Sequence, residues 1–139
     1  MSVSGRGQKR FQVTDKLKPT ISIVDDDPSI REATEARMKS LGFHAWTFCS
    51  AADFLAFRDI EHTSCMIADV NMPQMTGVEL YRRLVDLGYE IPTILMTGYP
   101  NEKVRARALA DGVKCYLVKP FDDEELIRCV RWALGIENG

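Results

Sequence analysis

No stretch of this chain is apolar for long enough to cross a membrane. Its hydrophobic runs are short and interrupted, whereas a spanning helix needs about 20 consecutive apolar residues. The N-terminus lacks the apolar segment of a secretory signal. Only two histidines are present, and the four cysteines (Cys49, Cys65, Cys115, Cys129) stand far apart without a CxxC pair, so no zinc pattern forms. Such cysteines read as reduced thiols, mostly in a core, and point to the cytoplasm. No GxGxxG follows the first apolar run, which argues against a dinucleotide site, and no GK[ST] offers a nucleoside-triphosphate loop. Internal repeats and low-complexity segments are missing from the body of the chain.

What is present is one domain's worth of sequence. The 139 residues are 45% apolar and 27% charged, neither disordered nor fibrous in composition, and enough to bury a core. The net charge of −2 is unevenly spread. Residues 1–18 carry Arg6, Lys9, Arg10, Lys16 and Lys18 against Asp15 alone, while the remainder has 13 basic and 19 acidic residues. An acidic body is a poor direct partner for nucleic acid. Residues 1–19 read as a basic, disordered extension, residues 20–136 as the folded domain and 137–139 as a tail.

Past Pro19 the chain alternates between two patterns. Apolar runs rich in β-branched residues occur at "TISIV" (20–24), "CMIAD" (65–69), "PTILMT" (92–97) and "KCYLV" (114–118), with a half-buried "FHAWTF" (43–48) after the first. Helical segments separate them. Asp27 can cap the first, with Pro28 at a position where a missing N–H does no harm, and Gly42 ends it. Ser50 with Asp53 resembles a capping box for the second. The third runs from Thr76 to Leu87, ended by Gly88, and the fourth from Asn101 to Ala110, closed by Gly112. The fifth opens at "DDEE", with Asp122 and Glu125 as reciprocal caps, and ends at Gly135. Five strand–helix repeats predict a doubly wound α/β domain, a parallel sheet with helices on both faces.

In such a sheet the ligand site forms at the carboxyl ends of the strands. Strand one ends in Asp25, Asp26 and Asp27, strand three in Asp69, strand four in Thr97-Gly98 and strand five in Lys119-Pro120. Like charges this close repel by about 1 kcal/mol per pair in water. A divalent cation offsets that repulsion. Mg²⁺ takes hard oxygen ligands, usually one or two carboxylates plus a phosphate oxygen. A remaining carboxylate can attack a phosphoryl group, whose oxygens an ammonium and a hydroxyl would stabilise.

Four ordered motifs now coincide: "VDDD" after strand one, "ADVNMPQMTGVEL" around strand three, "MTG" after strand four and "YLVKPF" at strand five. Over residues 20–136 the chain resembles the receiver domain of two-component response regulators, the CheY-like fold, and its phrasing is most similar to FixJ-type receivers. The resemblance implies five parallel strands in the order 2-1-3-4-5 flanked by five helices. It makes Asp69 the phosphoacceptor, forming 4-aspartylphosphate. Asp25, Asp26, Asp69 and the backbone carbonyl of Asn71 become the ligands of Mg²⁺, with Mn²⁺ able to substitute. Thr97 and Tyr116 become the switch pair, and Lys119, ahead of a cis bond to Pro120, the phosphoryl-binding cation. Asp27 keeps its role as a helix cap.

The implied function is a phosphorelay switch in the cytoplasm. A histidine kinase or His-containing phosphotransfer protein donates the phosphoryl group, and a downstream protein or second copy docks on the face built by helix four, strand five and helix five. Arg105, Arg107, Tyr116 and Trp132 are the residues expected there. The domain would catalyse gain and loss of its own phosphoryl group only, and is otherwise no enzyme. Gly98 leaves the site open, and Tyr99 beside it is expected, with Asn71, to shield the phosphoryl group from water. No helix-turn-helix, ATPase or cyclase pattern follows strand and helix five. A stand-alone receiver and the receiver of a longer regulator both stay open. Two competing readings are weaker. An aspartyl phosphohydrolase typically needs a second acid two residues beyond its nucleophile, where this chain has Asn71. A phosphorylation-independent interaction module would have no use for the Asp/Thr/Lys set.

Overall fold

The computed structural model describes residues 18–136. Readings that fall on residues 1–17 and 137–139, the basic extension and the tail, lie outside the described residues. The elements in chain order are β1 (Thr20–Val24), α1 (Pro28–Ser40), β2 (His44–Phe48), α2 (Ala51–Leu55), a 3₁₀ turn (Ile60–His62), β3 (Cys65–Asp69), α3 (Gly77–Asp86), β4 (Thr93–Thr97), α4 (Glu102–Asp111), β5 (Cys115–Val118) and α5 (Asp123–Leu134). All strand pairs are parallel and the sheet runs β2-β1-β3-β4-β5. The predicted fold and strand order are those observed.

Strand alternation divides the interior into two cores. One face of the sheet packs Val24, Ala68 and Leu95 against Phe54 of α2, Leu80 and Leu84 of α3 and Ala108 of α4. The other sets Ile23, Ile67, Ile94 and Met96 against Met38 of α1 and Leu126 and Val130 of α5. Each large aliphatic side chain buried this way stabilises by about 1.5–3 kcal/mol. The central strands β1, β3 and β4 are buried along their whole length. Near-continuous apolar runs are what two-sided coverage requires.

Caps set where the helices begin. Asp27 accepts from the N–H groups of Ser29 and Ile30 at 2.9 and 3.3 Å, satisfying two otherwise orphaned donors of α1. The reciprocal capping box forms at Asp122 and Glu125, and a second at Thr76 and Glu79 that the sequence reading passed over. At α2 only half of the expected box exists: Ser50 accepts from the Asp53 N–H at 3.0 Å, while the Asp53 carboxylate takes the Cys49 thiol. That helix is a bare five residues. Cys49 is exposed rather than in the core, Cys65 is buried, and Cys115 and Cys129 are half-buried; all four are free thiols. Among the described residues no helix is long and apolar enough to cross a membrane.

Candidate functional site

Parallel strands of nearly equal length end together, and that registers four of the predicted site residues on one rim. Asp69 closes β3, opposite Met96, and Thr97 closes β4, opposite Val118. Asp25 follows β1 directly, its N–H bound to the Phe48 carbonyl at 3.1 Å. The Lys119 N–H donates to the Thr97 carbonyl at 2.8 Å, so its backbone is tied to the same edge before the cis bond to Pro120.

Ligand oxygens of Asp25, Asp26 and Asp69 all lie within 4.8 Å of one another. Asp25 is 1% exposed and Asp69 5%, whereas Asp26 opens to solvent. The Lys119 ammonium donates to Asp69 Oδ1 at 2.7 Å and stands 3.6 Å from Asp25 Oδ2. Two carboxylates therefore share one ammonium, with a third, Asp26, beside them. Burial, reinforced by the charges of Asp69 and Asp26, lifts the Asp25 carboxyl above its ordinary range, although the Asp27 N–H and Lys119 pull the other way. Burial alone would depress Lys119; its hydrogen bond to Asp69 and the charges of Asp25 and Asp69 outweigh it and hold the ammonium above its ordinary value.

One atom in this group is left over. Asp25 Oδ1 accepts from the Asp27 N–H at 2.9 Å, but Asp25 Oδ2 is buried without a hydrogen-bond partner. An orphaned buried carboxylate oxygen costs about 1–3 kcal/mol or more. Hard oxygen donors, surplus negative charge and an orphaned oxygen beside an exposed acid fit a divalent cation of the Mg²⁺ kind.

The remaining predicted residues divide. Asn71 sends its N–H to Asp69 Oδ2 at 2.9 Å. Its side-chain carbonyl, Oδ1, accepts from the Thr97 hydroxyl at 2.6 Å, a contact the sequence reading did not foresee. Thr97 is completely buried, and its Oγ1 also accepts from the Tyr99 N–H at 3.0 Å. Tyr116 is half-buried on β5, opposite Leu95, one step back along the face that carries Thr97, and packs into the core rather than into the acid group. Tyr99 is 78% exposed, and its backbone N–H is a donor to the site through Thr97 Oγ1.

Two further residues escaped the sequence reading. A Cβ at Gly77 would lie 2.5 Å from the Asp69 carbonyl oxygen, so only glycine lets the first turn of α3 lie against the Asp69 backbone. The Thr-Gly pair opening that helix was the available signal. Arg31 reaches back from α1 to the Asp25 carbonyl at 2.8 Å, which pins the loop carrying the acids.

The family model described as the response regulator receiver domain matches residues 21–131. Response regulator protein TmoT of Ectopseudomonas mendocina is 34% identical over 130 residues, 94% of this chain and 59% of that protein. Transcriptional regulatory protein FixJ of Rhizobium meliloti (strain 1021) is 34% identical over 114 residues, 82% of this chain and 56% of that one. The chain thus spans little more than half the length of these two relatives. Among solved structures, the crystal structure of FixJ-N superposes with a TM-score of 0.78 at 32% identity, covering 88% of this chain and 98% of the other.

Proposed function

The chain belongs to the response regulator receiver domain family, and on that premise we propose that it is a phosphorylation switch whose acceptor is Asp69. The observation that carries this reading is the single rim where Asp25, Asp26 and Asp69 meet Lys119, with one buried carboxylate oxygen unsatisfied. Asp25, Asp26 and Asp69, with the Asn71 backbone carbonyl, would hold Mg²⁺ or Mn²⁺. Bound there, the cation would neutralise the acids and accept a phosphoryl oxygen as ligand.

The chain's own residues do the rest. An Asp69 carboxylate oxygen attacks the phosphorus of a phosphohistidine on a histidine kinase or His phosphotransfer protein. The new P–O bond forms as the P–N bond breaks, and the imidazole leaves with the electron pair and takes up a proton. Lys119, already 2.7 Å from Asp69, donates to the charge carried onto the phosphoryl oxygens. Loss of the phosphoryl group to water regenerates the carboxylate, so the domain turns over no separate metabolite.

The added charge draws the Thr97 hydroxyl toward the phosphoryl group, and Tyr116 follows inward. Moving a two-state population from 1:99 to 99:1 takes about 5.5 kcal/mol of differential interaction, and a multiply hydrogen-bonded phosphoryl group is a source of that size. The readout face is the one built by α4, β5 and α5. It presents Arg105 and Arg107 on α4, Val118 on β5 and Trp132, 51% exposed, on α5. That mixture suits a downstream protein or a second copy of the chain.

The test is intact mass after incubation with acetyl phosphate and Mg²⁺. One added phosphoryl group, lost in Asp69→Ala and in the presence of a chelator, is the expected result. An adduct that survives either control overturns the reading.

A further inference from the structure

The hydroxyl of Thr97 has one proton to donate, and in this structure the proton is already taken. It goes from the buried Thr97 to Asn71 Oδ1 at 2.6 Å, while the Tyr99 N–H occupies a lone pair on the Thr97 oxygen at 3.0 Å. Asn71 is itself fixed at its other end, because its N–H is bound to Asp69 Oδ2 at 2.9 Å. One residue therefore grips both the acceptor and the switch. We propose that the Asn71 side chain is a latch: it holds Thr97 in the resting position and competes for the same proton that a phosphoryl group on Asp69 would attract.

The competition follows from valence. A hydroxyl donates one hydrogen bond at a time, so Thr97 cannot satisfy Asn71 Oδ1 and a phosphoryl oxygen together. A charged phosphoryl oxygen is the stronger acceptor and wins once present. Before that, the amide wins and keeps the unmodified domain quiet. This deepens the assignment of Asp69 as phosphoacceptor and rests on it, but the resting half of the claim can be read without any phosphoryl group.

Two measurements test it. In the unmodified protein, methyl relaxation dispersion at Thr97 reports the population of its alternative side-chain state. Asn71→Ala, at an exposed loop position, raises that population about two- to ten-fold, the size expected for one intramolecular hydrogen bond. Asn71→Asp, which keeps an acceptor, leaves it near the wild-type level. Dispersion that is the same in wild type and Asn71→Ala overturns the latch. The second measurement titrates beryllofluoride with Mg²⁺ as a phosphoryl mimic. Asn71→Ala tightens binding by a similar factor in the wild-type background and leaves it unchanged in a Thr97→Val background, where no hydroxyl competes. An equal change in both backgrounds means that Asn71 acts on the mimic directly and also overturns the latch. Failure of the wild type to bind beryllofluoride counts against Asp69 as acceptor instead, and the dispersion result then decides the latch alone.

Discussion

Toward the amino-terminal end of the sheet, the Ser22 and Thr63 hydroxyls bond to each other at 2.8 Å, Thr93 donates to the Ile91 carbonyl at 2.9 Å, and the Thr20 N–H donates to Ser64 at 3.0 Å. At the carboxyl end, Asp25, Asp69 and Thr97 are as deeply buried, but here three carboxylates cluster around one ammonium that pairs with two of them, and one oxygen has no hydrogen-bond partner. Both ends bury polar side chains. The neutral pairs close on themselves and hold strands together, which is all they need to do. The charged group is unbalanced as it stands, and an arrangement that works against folding stability is what the proposed chemistry at this end of the sheet would require.

The sharpest break in that comparison comes from removing charges at the carboxyl end. Asp69→Ala should abolish phosphoryl uptake from acetyl phosphate, and Lys119→Met should slow it by about 10²-fold, the loss typical when a charge-stabilising donor is deleted. Intact mass against time measures both. Gly77→Ala comes next: with its Cβ 2.5 Å from the Asp69 carbonyl oxygen, it should destabilise the fold by about 1–3 kcal/mol in urea unfolding, with slower uptake as Asp69 is displaced.

Asp25→Asn should divide the two properties. It should weaken Mg²⁺ binding at least about tenfold, yet make the metal-free domain more stable at neutral pH by about 1 kcal/mol. The sign follows from linkage. Burial raises the Asp25 carboxyl in the folded state, so the fold binds that proton more tightly than the unfolded chain does. Wild type therefore loses stability relative to Asp25→Asn as pH rises from the ordinary carboxyl value of 3.8 through the raised one, and the gap stays constant above it. Thermal melts of both proteins across that interval, with chelator, check this; a gap that opens toward low pH would contradict it.

The smallest effect belongs to the other end. Ser22→Ala with Thr63→Val removes both partners of a neutral pair, so stability should change by less than about 1 kcal/mol and phosphoryl uptake not at all. A large loss of uptake would erase the contrast between the two ends.

Much of this was legible before any coordinates. Strand ends are marked by where apolar runs stop, so Asp25, Asp69, Thr97 and Lys119 could be placed on one rim by parallel topology alone. Asp27 as a cap follows from local chemistry with Pro28 beside it. What escaped depends on tertiary contact. The side-chain direction of Asn71 is set by Thr97, 26 residues away. The need for glycine at position 77 arises from the approach of α3 to a neighbouring strand's backbone. Tyr99 was singled out for its bulk, which does not foretell the bond from its backbone N–H to Thr97 Oγ1.

The most direct test of the central claim is where the phosphoryl group sits. Borohydride reduction of the phosphorylated protein converts an aspartyl phosphate to homoserine, which peptide mapping locates. The account predicts homoserine at Asp69 alone. Homoserine at Asp25 or Asp26, or a phosphoryl adduct that resists reduction and maps to His44 or His62, would contradict it.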